Sequence, residues 1–218
     1  MMDFVGLRDR YLAAQLGGNR REALRILVED GLKKGFSVRD LQLKVVQEAQ
    51  REIGRLWQED RISIAQEHMG TAISQMALAH LYQQATPTAS NGKKVVVACV
   101  EGELHDFPAR LAADALDLAG FEVRFLGANL PTDSLLSILA SEKPDLLALS
   151  VAMAFNIPAL RLAVARVRAQ TDGRLPIAVG GHACEWAHSL AVEVGADASG
   201  TDAESMVSAA MRLLKVRE

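Results

Sequence analysis

The sequence predicts an α + α/β protein: a four-helix bundle over residues 1–86, a linker over 87–92, and an α/β domain over 93–218 with a five-stranded parallel sheet. Three observations lead there. Apolar residues before the linker recur only with helical spacing. The stretch Thr86-Pro-Thr-Ala-Ser-Asn-Gly92 is small, polar and broken by Pro and Gly. From Lys93 onward, short β-branched runs alternate with helical patterns, which is how a parallel sheet with helices on both faces is written.

The elements follow in order. Residues 1–16 form an amphipathic helix carrying Phe4, Leu7, Tyr11 and Leu12, closed by Gly17-Gly18. Asn19 caps a second helix that turns Ala23, Ile26, Leu27 and the Val28/Leu32 pair inward and stops at Gly35. Ser37 caps a third, with a stripe of Val38, Leu41, Val45, Ala49, Ile53 and Leu56. A turn at 58–61 leads into a fourth from about Ser63, through Ile64, Met69, Ile73, Met76 and Leu81. Short connections make these an antiparallel bundle. Beyond the linker, strands are expected at 94–100, 121–126, 145–150, 176–180 and 196–198, and helices at 108–119, 132–142, 158–171, 184–194 and 202–216. Thr132 and Asn156 are plausible caps, and Pro108 and Pro158 suit first helical turns. Five βα units fit the flavodoxin-like (Rossmann-like) order 2-1-3-4-5, whose ligand crevice lies outside the carboxyl ends of the first and third strands.

Composition narrows the class. The chain has 218 residues, 50% hydrophobic and 23% charged, with a net charge of −3. That balance offers no general attraction to nucleic-acid phosphates or anionic lipid. Residues 1–7 carry an acid and no apolar segment, and no run approaches the roughly 18 residues of a membrane span. A cytoplasmic protein without direct nucleic-acid or membrane binding is expected. Cys99 and Cys184 make no disulfide framework.

Chemistry concentrates at strand exits. His105 follows the run Val95–Val100 and precedes the helix opened by Pro108, so it is offered to the crevice, and Glu103 or Asp106 is placed to fix its tautomer. The third strand ends at Ser150-Val-Ala152 and the fourth at Gly180-Gly181. A hydroxyl and two glycines suit a long ligand tail held close to backbone, although tight packing alone also accounts for the glycines. A phosphorelay receiver needs acids and a lysine where this chain has Ser150 and Ser199-Gly200-Thr201, and no Gly-rich phosphate loop is present. A metal cluster of His182, Cys184 and His188 lacks a second Cys/His group to complete it. In the bundle, Trp57 ends the third helix and Glu67-His68 opens the fourth. An aromatic plate, a carboxylate and an imidazole at one end of a bundle suit a flat heteroaromatic group bearing hydroxyls; a solvated pair beside an end-covering Trp is the plainer alternative.

Together these residues resemble a known arrangement. The C-terminal domain is similar to the cobalamin-binding domain marked by Asp-x-His-x-x-Gly, Ser-x-Leu and Gly-Gly, which here read Glu103-Leu-His105-Asp106-Phe-Pro108, Ser150-Val-Ala152 and Gly180-Gly181. Leu126-Gly-Ala-Asn-Leu-Pro131 matches that family's second strand exit. The bundle resembles the helical cap over the corrin of methionine synthase. Trp57, nine residues and then Glu67-His68 is similar to the Trp-x9-Glu-His signature of the cobalamin photoreceptors of CarH/LitR and AerR type.

The resemblance implies that His105 ligates cobalt from below, that Ser150, Gly180 and Gly181 receive the displaced nucleotide tail, and that Trp57, Glu67 and His68 surround the upper axial group. Glu103 stands where the signature has Asp; the photoreceptor branch often carries Glu there, which favours it over the methyl-carrier branch, and Pro108 and Ala152 alter the tail pocket. Gln58 replaces a histidine that follows the Trp in CarH, so His68 or water is expected above cobalt after photolysis. Too little sequence precedes the bundle for CarH's helix-turn-helix domain. The resemblance therefore implies a stand-alone light sensor, not an enzyme, holding adenosylcobalamin or methylcobalamin and signalling to a transcription regulator, another signalling protein or its own oligomer. The alternative is a corrinoid methyl carrier of a methyltransferase system.

Overall fold

Asp3, Asn19, Ser37 and Ser63 each accept a hydrogen bond from the backbone N–H three residues on, and each starts a helix. The computed structural model describes residues 3–86, 88–187 and 189–216. The chain divides into two units, Met1–Thr86 and Pro87–Glu218.

In the first unit, α1 is Phe4–Leu16. The second helix begins as α2, Arg20–Arg25, and runs on through a π-helical stretch Ile26–Gly31 and a 3-10 turn Leu32–Lys34 to Gly35, whose φ of +89° needs glycine. The third begins as α3, Val38–Asp40, widens into a π-helical stretch Leu41–Gln47, and tightens into α4, Glu48–Gln58. The fourth is α5, Ile64–Gln83, opened by a capping box in which Ser63 and Gln66 satisfy each other's backbone N–H. Leu7, Tyr11, Leu27, Leu41, Val45, Ile53, Ile73 and Leu78 fill the core. Each such side chain contributes about 1.5–3 kcal/mol by leaving water. Ile64 and Met69, expected inward, face out. The inward face of α5 starts at Gly70, where Ile53 packs against bare backbone. Gln15, Gln42 and Ser74 are polar yet buried in this core.

The second unit holds β1 (Lys94–Cys99), β2 (Glu122–Phe125), β3 (Leu146–Ser150), β4 (Ile177–Gly180) and β5 (Ala198–Gly200). All pairs are parallel and the order is β2-β1-β3-β4-β5. Between them run α6 (Phe107–Leu118), α7 (Thr132–Glu142), α8 (Ile157–Thr171), α9 (Ala183–Trp186) and α10 (Leu190–Val194), and α11 (Ala203–Leu214) follows β5. Strand residues alternate between two cores. Val96, Ala98, Leu147, Leu149 and Val179 meet Leu135, Leu139, Leu160, Val164 and Leu190 from α7, α8 and α10. Val95, Val97, Leu146, Ala148 and Ala178 meet Ala109, Ala113, Leu116, Met206 and Ala210 from α6 and α11.

Four expectations shift. The helix expected over 184–194 stops at Trp186, where Ala187 leaves helical backbone (φ −107°, ψ 79°), and restarts at Leu190. The last strand starts at Ala198, because the Asp197 carboxylate accepts the Ile177 N–H at 2.7 Å. The residue ahead of α7 is Pro131, and Thr132 is its first member. Asn156 precedes α8 without capping it; its side chain is engaged elsewhere. Among the described residues no helix is long and apolar enough to cross a membrane.

Candidate functional site

β1 leaves the sheet into a loop that the neighbouring strand exits hold in place. Gly102 adopts φ +84° and donates its N–H to Asn129 Oδ1 at 2.8 Å; Asn129, itself at φ +50°, donates its N–H to the Glu103 carbonyl at 2.8 Å. The Glu103 side chain turns inward and is 0% exposed. Its Oε1 takes the His105 backbone N–H at 3.0 Å and meets His105 Nδ1 at 2.6 Å. Its Oε2 accepts from the Ala152 N–H at 2.9 Å, the Met153 N–H at 3.0 Å and Asn156 Nδ2 at 2.9 Å. Burial pushes this carboxyl up, but the bonds from His105, the Met153 N–H and Asn156 outweigh it and hold it at about 2. A buried anion is thus paid for by five donors drawn from two strand exits.

The consequence falls on His105. Glu103 orients the ring through Nδ1, and the side chain is 47% exposed. Asp106, the other candidate to set the tautomer, lies 3.7 Å from Arg110. Leu104 and Phe155, next in the chain to Glu103 and Asn156, are 70% and 71% exposed. Large apolar side chains left in water beside an imidazole suit a broad, flat ligand. The sequence pattern marks neither for a ligand; Asn156 reads there as a helix cap, and Asn129 is reached only through the family-like stretch at 126–131.

Ser150 is buried, and among the described residues its hydroxyl makes no hydrogen bond in good geometry, with the Cys99 thiol near it. Gly181 has φ +94°, and a Cβ there would fall 2.4 Å from the Val151 carbonyl oxygen. A Cβ on Gly180 would fall 2.8 Å from the Gly200 oxygen. Packing alone therefore requires both glycines. Burial pushes the Cys99 thiol up to about 12, with the charges of Asp106 and Glu103 adding to it, so that sulfur stays a neutral core group. At the β4 exit His182 Nδ1 meets Glu185 Oε2 at 2.9 Å and its ring stands edge-on to Trp186, while Cys184 is buried. His188 lies outside the described residues, and among those no cluster is arranged to hold a metal ion.

In the helical unit, Trp57 is half-buried at the end of α4 and Gln58, its last residue, is exposed. On the first turns of α5, Glu67 turns inward, its side chain 16% exposed, and His68 outward at 73%. Neighbours on a helix diverge by about 100°, so one had to face away. They still meet, His68 Nδ1 to Glu67 Oε2 at 2.5 Å, and Thr71 Oγ1 donates to Glu67 Oε1 at 2.7 Å. Neither a hydrogen bond nor a ring contact joins Trp57 to this pair among the described residues.

A B12 binding domain model matches residues 93–210, more than half of the chain, and a second B12 binding domain model matches residues 7–82. The HTH-type transcriptional repressor CarH of Myxococcus xanthus is 29% identical over 134 residues, 61% of this chain and 44% of its own length. The chain thus spans less than half of that repressor. A 20.5 kDa protein of the bchF–crtJ intergenic region of Rhodobacter capsulatus is 27% identical, over 78% of this chain and 90% of its own. Dimethylamine corrinoid protein 2 of Methanosarcina acetivorans is 24% identical, over 95% and 90%. Among solved structures, the Methanosarcina barkeri monomethylamine corrinoid protein shares the fold with a TM-score of 0.80 at 20% identity, over 97% of this chain and 99% of that one.

Proposed function

This chain belongs to the B12-binding domain family, and from that premise we propose that it is a cobalamin-dependent light sensor that passes a change in its helical unit to a partner regulator or to a second copy of itself. The site fits the cofactor in two respects. Glu103 orients the His105 ring through Nδ1, as a carboxylate orients a metal-ligating histidine, so His105 would be the residue to hold cobalt. The buried Ser150 hydroxyl has no well-formed hydrogen bond among the described residues, and a nucleotide tail would supply one. Gly180 and Gly181 leave no side chain between that tail and the backbone. Leu104 and Phe155 give the corrin an apolar rim.

The upper side separates a sensor from a carrier. Adenosylcobalamin, or methylcobalamin, supplies a cobalt–carbon bond that light breaks. We assign Trp57, Glu67 and His68 to that side. The observation that carries the assignment is the hydrogen-bonded Glu67–His68 pair, held by Thr71 at the end of the bundle where Trp57 also stands. Dark and illuminated states differ only at the upper position, so these three residues must provide the differential contacts that bias the protein.

The test is an absorbance spectrum of protein reconstituted in the dark with adenosylcobalamin, repeated after white light, with size-exclusion elution of both samples. A light-induced spectral change accompanied by an elution shift supports the sensor. Bound cobalamin with no light-dependent change in elution or shape favours the second reading, a corrinoid carrier subunit. The corrinoid relative aligned over 95% of this chain is the observation behind that reading, and activity as a methyl acceptor in a transfer assay would establish it.

A further inference from the structure

In the helical unit, the buried Gln15 and Ser74 and the half-buried Gln50, Thr71 and Glu67 join into one chain of hydrogen bonds. Gln15 Nε2 on α1 donates to Ser74 Oγ at 2.7 Å and to the Gly70 carbonyl at 3.1 Å. Ser74 Oγ on α5 donates to Gln50 Oε1 on α4 at 2.8 Å. Gln50 Nε2 donates to Thr71 Oγ1 on α5 at 2.6 Å. Thr71 Oγ1 donates to Glu67 Oε1 at 2.7 Å, and the other oxygen of Glu67 meets His68 Nδ1. The chain stitches three helices and ends at the surface pair.

Every donation runs the same way, and both ends dictate the direction. A carboxylate only accepts, so Thr71 must donate to Glu67 and accept from Gln50; the amide nitrogen of Gln50 therefore faces Thr71 and its oxygen faces Ser74. Ser74 must then donate to Gln50 and accept from Gln15. At the far end the Gly70 carbonyl also only accepts, and it too demands the nitrogen of Gln15. Aligned dipoles in a low-dielectric core polarise one another, so the bonds form as a unit. Beside the chain, Gln15 Oε1 is buried without a partner among the described residues, and the Tyr11 hydroxyl lies next to Ser74.

We propose that Gln50 and Gln15 are positioning residues for Glu67, acting through Thr71 and Ser74, and that this chain carries a change at Glu67 across the bundle to α1. The positioning role stands on the geometry above; the signalling role rests on the assignment of Glu67 to the upper-ligand site. An apolar substitution at Thr71 opens the chain beside Glu67 without touching Gln15, so any effect on Gln15 must travel through the links.

The experiment follows the side-chain carboxamide resonances of Gln15 and Gln50 by NMR in the full chain. In cobalamin-free protein, Thr71→Val shifts both resonance pairs, and Thr71→Ser, which keeps the hydroxyl, restores them. A Gln15 resonance indifferent to Thr71→Val overturns the positioning role. If Thr71→Val fails to fold, Glu67→Ala, which removes the acceptor at the end of the chain, makes the same test. In protein loaded in the dark with adenosylcobalamin, light shifts the Gln15 resonance in wild type and not in Thr71→Val. A wild-type absorbance change with a motionless Gln15 resonance overturns the signalling role and leaves the sensor standing. No absorbance change overturns the sensor and the signalling role together, while the cobalamin-free result still decides the positioning role.

Discussion

At Glu103 five hydrogen bonds converge on two buried oxygens, and the residue tolerates no donor in its place. Glu103→Gln keeps the shape but turns an NH2 group toward N–H donors, so either the Ala152 and Met153 N–H groups with Asn156, or the His105 N–H and ring, lose their acceptor. The expected cost is about 3 kcal/mol in urea unfolding of the cobalamin-free protein; a loss under about 1 kcal/mol would mean that the five bonds are not cooperative. Asp114 on α6 is the opposite case. Burial pushes its carboxyl up from 3.8 to about 7, Arg110 pulling down and Asp117 pushing up. The folded protein keeps a proton that the unfolded chain releases near pH 4, so this group's contribution to stability is full at low pH and is lost as pH rises through about 7. Asp114→Asn should match wild type near pH 4 and exceed it at pH 8 by on the order of 2 kcal/mol. Denaturant midpoints across that range check it, and parallel curves for the two proteins would refute it.

The strand exits show what an element demands of one backbone position. Gly181 and Gly195 both adopt positive φ, +94° and +79°, but a Cβ at Gly181 would strike the Val151 carbonyl whereas one at Gly195 would meet nothing within 4 Å. Gly195→Ala should cost about 1 kcal/mol, the conformational price alone. Gly181→Ala should cost at least about 3 kcal/mol, because β3 or the loop must also move. Thermal unfolding of the pair checks the ratio. Sheet order was legible because Val95–Val100 and Leu146–Ser150 are buried on both faces and so read as continuous apolar runs. His105 and Ser150 were legible because a strand's end points into the crevice by topology alone. Glu103's burial was not, since three of its five donors lie 49, 50 and 53 residues away. The π-helical stretches at Ile26–Gly31 and Leu41–Gln47 were not, because one added residue per turn leaves apolar spacing nearly helical. Gln15, Gln50 and Ser74 passed unread, since an isolated polar residue in an apolar stripe gives no sign of the partner that satisfies it.

For the whole molecule, binding and folding are linked. Cobalamin that binds only the native state stabilises it by about 2.7 kcal/mol at a concentration 100 times its Kd. The melting temperature should therefore rise with added cobalamin, and the rise should shrink in His105→Ala; an undiminished shift in that variant would remove His105 from the lower ligand position. Trp57→Ala makes the complementary cut. Cobalamin should remain bound, and the dark-to-light difference in elution should fall, because the contacts that distinguish the two states are gone. An undiminished difference would place the lever elsewhere.

The one-way chain from Gln15 to Glu67 has a consequence that belongs to information rather than to energy. Five side chains joined so that each orientation fixes the next, between two ends that only accept, share one collective setting, and no other is available to one member alone. The bundle core therefore works as a sentence with one grammatical word order. A misplaced hydroxyl is corrected by its neighbours. A substitution at any link does not dim the message but breaks it at that word, and one at a neighbouring apolar residue leaves the order intact.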